Sequence, residues 1–114
     1  MRFEGIYTPV VTPHSESGEI SWDRFSEVLE FLISKGVHGL IIAGTTGEYY
    51  AQTHDERLEV MRYAKKIIGD RLPLIVGTGA IRTEESIEFA QEAKSLGADA
   101  ILVTSPPYAV PTGR

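Results

Sequence analysis

The sequence predicts an α/β fold with a parallel sheet, and three observations carry that prediction. Short apolar or β-favouring runs recur within Gly5 to Val11 and at Leu40 to Ile42, Leu74 to Val76 and Ala100 to Val103. Stretches with helical periodicity lie between them, so the elements alternate in β-α-β-α-β-α-β order with short connections. The segment from Ser34 to Ile42 is also echoed by Ser95 to Val103. The offset corresponds to two βα units of roughly thirty residues each.

Each element has its own local reason. In the first strand Ile6, Tyr7, Thr8, Val10 and Val11 favour extended backbone, and Pro9 interrupts regular ladder bonding. Thr12 to Gly18 is dense in turn formers. Ser21 can then cap a helix carrying Trp22, Phe25, Val28, Leu29 and Leu32 on one stripe, closed by Gly36. Leu40, Ile41 and Ile42 form the continuous run of a strand buried on both faces. Thr53 and Glu56 have capping-box spacing ahead of a second helix with Val60, Met61, Ala64, Ile67 and Ile68, which runs up to Gly69.

Leu74 to Val76 follows Pro73 as a third strand and stops in Gly77-Thr78-Gly79. Thr83 can cap a third helix with Ser86, Phe89, Ala90 and Ala93 inward, while Glu84 and Glu85 favour the positive end of its dipole. Gly97 ends it. Ala100 to Val103 is the fourth strand, and Thr104 to Arg114 reads as loop because its prolines forbid a helix. Alternate strands end alike, as suits a (β/α)8 barrel whose alternate strands fill the same interior layers. A doubly wound nucleotide-binding sheet fits poorly. Gly44-Thr45-Thr46-Gly47-Glu48 is not Gly-x-Gly-x-x-Gly, and Arg82 stands where Gly77-Thr78-Gly79 would need a third glycine.

Composition narrows the function classes. The 114 residues fit one small domain, with an ordinary 42% hydrophobic and 24% charged content. A net charge of -5 without any run of Lys and Arg argues against nucleic acid and anionic membrane as partners. The absence of cysteine excludes disulfides and thiolate metal sites and permits an intracellular location. His14, His38 and His54 have no metal-ligand spacing, so no metal site is expected. With neither a signal-peptide pattern nor the ~20 apolar residues that span a bilayer, the chain reads as cytoplasmic.

The chemistry is expected where the second strand ends. Gly44 and Gly47 bracket Thr45 and Thr46, so backbone amides and two hydroxyls can approach a ligand closely. Such a turn suits a carboxylate or a phosphate. The same tetrapeptide would also serve as a plain strand-to-helix connection.

Several motifs then act together: Thr12-Pro13 followed by Gly18, Gly44-Thr45-Thr46-Gly47-Glu48, His54-Asp55-Glu56-Arg57, Gly77-Thr78-Gly79-Ala80, and Pro107-Tyr108 followed by Pro111. Over essentially the whole chain they resemble the pyruvate-dependent class I aldolase-type lyases, which include dihydrodipicolinate synthase and N-acetylneuraminate lyase. The resemblance implies a lysine that forms a Schiff base with pyruvate, no further cofactor and no metal. It implies that Thr46, with neighbouring amides such as that of Gly47, holds the pyruvate carboxylate. Thr45 would contact substrate and stand in a proton relay. Tyr108 would be the relay tyrosine that reaches into a neighbouring subunit, which makes a homo-oligomer, a dimer or a tetramer, the expected assembly. Glu48 reads as an orienting or N-terminal helix residue rather than a catalytic acid, and Tyr49 and Tyr50 either line the mouth of the site or pack on the next helix.

A complete barrel takes about 250 residues. Residues 1–114 are therefore expected to be the N-terminal half of a (β/α)8 TIM barrel, with four strands and three helices, taken from a longer polypeptide rather than standing free. The Schiff-base lysine would belong to the remainder. Lys35, Lys65, Lys66 and Lys94 all fall near helix C-termini, the face opposite a barrel's active site. The expected substrates are pyruvate and an aldehyde or keto sugar acid, in a reaction resembling that of dihydrodipicolinate synthase, also called 4-hydroxy-tetrahydrodipicolinate synthase. A 2-keto-3-deoxy sugar-acid aldolase or dehydratase is one alternative. A noncatalytic half-barrel that binds a carboxylate or serves in assembly is another. Ile81 occupies the polar position of the lysine-inhibited relatives, so allosteric control by lysine is not expected.

Overall fold

Residues 2–107 and 112 are described in the computed structural model of the chain. They form β1 (Tyr7–Pro9), α1 (Trp22–Ser34), β2 (Gly39–Ile42), a 3-10 turn (Tyr49–Ala51), α2 (His54–Ile68), β3 (Leu74–Gly77), α3 (Thr83–Ser95) and β4 (Ala100–Leu102). The strands lie side by side in the order β1-β2-β3-β4, and every pairing is parallel. Each crossover therefore carries one helix, the βαβ arrangement that the alternation predicts.

The register explains which residues the helices cover. Leu40 pairs with Leu74 and Ile42 with Val76, and these four belong to the buried cluster with Phe25 and Leu29 of α1, Val60, Met61, Ala64 and Ile68 of α2, and Phe89 and Ala93 of α3. Each large side chain so buried contributes about 1.5–3 kcal/mol. The intervening row, Pro9–Ile41–Ile75–Ala100, falls outside that cluster on the other face of the sheet. In a closed barrel that face is the interior. Aromatic packing joins α1 to α2, with the Trp22 and Tyr63 ring centres 4.9 Å apart and the Tyr63 hydroxyl donating to the Trp22 carbonyl at 3.0 Å.

Pro9 disturbs β1 less than its lack of an amide suggests. The Val10 amide donates to Ile41 O at 2.9 Å and the His38 amide to Ile6 O at 2.8 Å, so pairing extends past both ends of the strand. Alternation then turns the Pro9 nitrogen toward the open edge, where no donor is needed.

Helix starts follow the sequence unevenly. The Thr53 and Glu56 capping box forms in full, with the Glu56 amide donating to Thr53 Oγ1 at 3.1 Å and the Thr53 amide donating to Glu56 Oε2 at 2.9 Å. Ser21 occupies the cap position of α1 without a side-chain cap bond. Thr83 is already inside α3, whose cap residue is Arg82. Glu84 and Glu85 in the first turn supply favourable charge there instead. Within α3, Phe89 and Ala93 are buried as expected, whereas Ser86 and Ala90 are only half-buried. The segment after β1 closes on itself through a bridge between His14 and Ile20, a pairing the turn-rich sequence did not announce.

Candidate active site

The site is assembled from the segments that follow the C-terminal ends of the strands. A side-chain carbon added at Gly47 would lie 3.1 Å from Val10 O and 3.3 Å from Thr12 Oγ1. A side chain there would push the chain after β1 away by a few tenths of an ångström, so glycine suits the close approach of the two segments. A carbon added at Gly77 would collide with the Ala43 carbonyl, and one at Gly79 with Thr104 Oγ1. The turn after β2 thus touches the end of β3 backbone to backbone, and the segment after β4 closes over the turn that follows β3.

Within the turn, Gly44 and Gly47 are buried while Thr45 and Thr46 are exposed. The Gly47 amide donates to Gly44 O at 3.1 Å and the Glu48 amide to Thr45 O at 3.0 Å, forming two overlapping turns. Gln52 Nε2 donates to Gly47 O at 3.0 Å and ties the far end down. Among the described residues the Thr45 and Thr46 amides make no hydrogen bond, so two N–H groups and two hydroxyls remain available to a ligand. Ala43 (φ 57°) and Glu48 (φ 58°), one at each end, adopt left-handed backbone that is unfavourable for residues with a side chain. Such conformations persist where the surrounding structure dictates the shape of the chain.

Glu48 is exposed and precedes the 3-10 turn. Tyr49 packs on the guanidinium of Arg57 at 4.8 Å, whereas Tyr50 is 64% exposed. Tyr49 is thus the one that packs on the following helix. Tyr108 lies outside the described residues, as do Pro111, Gly113 and Arg114. Lys35 caps α1, Lys65 and Lys66 fall in the last turn of α2, and Lys94 falls in the last turn of α3. All four sit at helix C-termini, away from the C-terminal ends of the strands. No cluster of three His, Cys, Asp or Glu suited to a metal ion occurs among the described residues. No helix among them is long and apolar enough to cross a membrane.

Beside the turn, between α2 and α3, lies a cavity of about 170 Å³ lined by residues that include Tyr49, Gln52, His54, Arg57, Glu85 and Phe89. Neither Thr45 nor Thr46 lines it. Glu85 therefore does more than favour the helix dipole. It is half-buried and lies 4.0 Å from His54 Nδ1, while Glu88 lies 3.4 Å from His54 Nε2.

Arg57 is the residue whose role sequence reading missed. Its side chain is buried, and burial lowers its pKa from the ordinary value, an effect opposed by the charges of Tyr49 and Glu85. The signal was present, because Arg57 occupies the same helical stripe as Val60, Met61, Ala64 and Ile68.

The chain is similar to known proteins across nearly its whole extent. A model of the dihydrodipicolinate synthetase family matches residues 2–114. A 4-hydroxy-tetrahydrodipicolinate synthase from Kosmotoga olearia is 46% identical over 110 residues, covering 96% of this chain and 37% of the relative. Among solved structures, dihydrodipicolinate synthase from Aquifex aeolicus superposes with a TM-score of 0.91 at 34% identity, over 96% of this chain and 37% of that one. YagE from Escherichia coli K12, a prophage protein belonging to the dihydrodipicolinic acid synthase family and solved in complex with pyruvate, superposes with a TM-score of 0.92 at 34% identity, over 96% and 37%. This chain thus spans little more than a third of the length of these relatives. Its four βα-linked strands correspond to the N-terminal half of a (β/α)8 barrel.

Proposed function

The chain belongs to the dihydrodipicolinate synthetase family, and from that premise we propose that residues 1–114 supply the carboxylate-binding and proton-relay half of a pyruvate-dependent Schiff-base lyase. The observation that carries this reading is the exposed Thr45–Thr46 turn, with its unbonded amides, at the C-terminal end of a barrel strand. The pyruvate bound in the YagE structure favours the same ligand here.

In this reading the Thr46 hydroxyl and the amides around it, including that of Gly47 if its turn opens toward the ligand, hold the pyruvate carboxylate. They do so with charge-assisted hydrogen bonds. A lysine outside these 114 residues attacks the keto carbon, and loss of water gives the imine. Removal of a methyl proton then yields the enamine, whose carbon adds to an aldehyde; the reverse sequence releases pyruvate. Thr45 passes protons between substrate and Tyr108, because a hydroxyl can donate and accept without holding a lasting charge. Tyr108 reaches the site of a neighbouring copy, so the working form is a homo-oligomer. Two relatives named 4-hydroxy-tetrahydrodipicolinate synthase, 46% and 41% identical, favour that chemistry over a sugar-acid aldolase.

The experiment is Thr46→Val in the full-length protein, with pyruvate affinity measured by calorimetry. Valine removes the hydroxyl at nearly constant shape. Loss of one hydrogen bond to a charged group, worth about 1.5–3 kcal/mol, weakens binding by roughly ten- to a hundredfold. Unchanged affinity would remove Thr46 from the carboxylate site.

A further inference from the structure

Among the described residues Arg57 is the most deeply buried charged side chain that the proposed chemistry leaves unused, with 4% of its surface exposed. Its terminal nitrogens donate to two carbonyls, Nη1 to Gly79 O at 2.9 Å and Nη2 to Gly77 O at 3.1 Å. The guanidinium carbon lies 3.9 Å from the centre of the Phe89 ring and 4.8 Å from that of Tyr49. No carboxylate forms an ion pair with it among the described residues. A buried charge without an ionic partner is costly, and an apolar residue would fill the space at lower cost. The arrangement instead uses the two properties a guanidinium has and an ammonium lacks, a planar fork that spans two acceptors and a flat face that stacks on rings.

The two ends of that contact flank the Thr45–Thr46 turn. Gly77 lies against the Ala43 carbonyl, at the start of the turn. Tyr49 follows Glu48, at its end. Resting on the pyruvate reading above, we propose that Arg57 is a positioning residue that holds both ends of the Thr45–Thr46 turn and so sets affinity for the pyruvate carboxylate without touching it. The fork keeps Gly77 to Gly79 pressed on Ala43 and Gly44, while the stacked face keeps Tyr49 down on α2. The turn between these two fixed points retains its left-handed ends at Ala43 and Glu48.

The test uses the full-length protein and borohydride reduction of the pyruvate imine, measured across pyruvate concentrations alongside melting curves. Arg57→Met keeps the length of the stem and removes the fork. Half-saturating pyruvate is expected to rise about tenfold, with trapping at saturating pyruvate unchanged. Arg57→Lys should fall between wild type and Arg57→Met, since an ammonium cannot span both carbonyls in the same plane. A lower melting temperature with half-saturating pyruvate unchanged would make Arg57 a structural residue alone and overturn the assignment. Should Arg57→Met fail to fold, Arg57→Lys and Tyr49→Leu carry the comparison, with a several-fold rise in half-saturating pyruvate expected for each and the same overturning result. Wild-type protein that traps no pyruvate at any concentration would instead overturn the underlying reading, and with it what Arg57 is said to position.

Discussion

Thr45 and Thr46 are adjacent and chemically alike, yet the proposed roles separate them by what each substitution should change. Thr46 binds, so its loss is expected in affinity. Thr45 relays protons, so Thr45→Val should lower turnover by about a hundredfold and raise half-saturating pyruvate far less. Steady-state kinetics that showed the opposite split would exchange the two roles. Glu48 offers an independent probe of the shape of the turn. Glu48→Gly removes a side chain from left-handed backbone and should stabilise the fold by about 1 kcal/mol at most, read as a higher denaturant midpoint. A fall in the midpoint would show that the Glu48 side chain stabilises the turn. The turn itself was legible because glycine and threonine at the end of an apolar run have few other uses. Arg57 was not, since its acceptors Gly77 and Gly79 come from the end of the next strand and the turn beyond it. Only the position of Arg57 on the buried stripe of α2 hinted at them.

Single helices show how far local signals carry. The capping box at Thr53 and Glu56 forms as its spacing predicts, and Thr53→Ala should cost about 1 kcal/mol, read as a lower denaturant midpoint. No change would mean that packing of α2 alone sets its start. Ser21 and Thr83 are the same kind of residue near the same kind of boundary, and neither caps. A cap needs backbone geometry that composition does not specify, and at α3 the helix simply begins one residue earlier. The link between α1 and the end of α2 lay beyond local reading as well. Arg71 Nη1 and Nη2 donate to the two Glu30 carboxylate oxygens at 3.0 and 2.7 Å, and this pairing lowers the Glu30 pKa and raises that of Arg71. A carboxylate whose folded pKa is depressed stabilises above its unfolded pKa and loses that contribution as pH falls through the folded value. Glu30→Gln should therefore be less stable than wild type at neutral pH, with the difference vanishing as the solution is acidified below the carboxylate range. A difference independent of pH would assign the effect to packing.

At the scale of the molecule, the order of elements and the parallel pairing were both readable, because apolar runs and helical stripes alternate without ambiguity and short crossovers admit one hand. The 3-10 turn and the His14–Ile20 bridge were not, since each depends on contacts made once the strands are in place. Ile101, Leu102 and Val103 are 44%, 43% and 61% exposed, apolar surface of the kind that further barrel strands and helices would cover. The central claim is that these 114 residues bind the carboxylate of pyruvate while the imine forms on a lysine elsewhere in the polypeptide. Intact mass after borohydride reduction with pyruvate tests it most directly, applied in parallel to the full-length protein and to the 114-residue chain. One reduced pyruvate adduct per full-length polypeptide and none on the 114-residue chain is the predicted result. An adduct on the shorter chain, at Lys35, Lys65, Lys66 or Lys94, would contradict it.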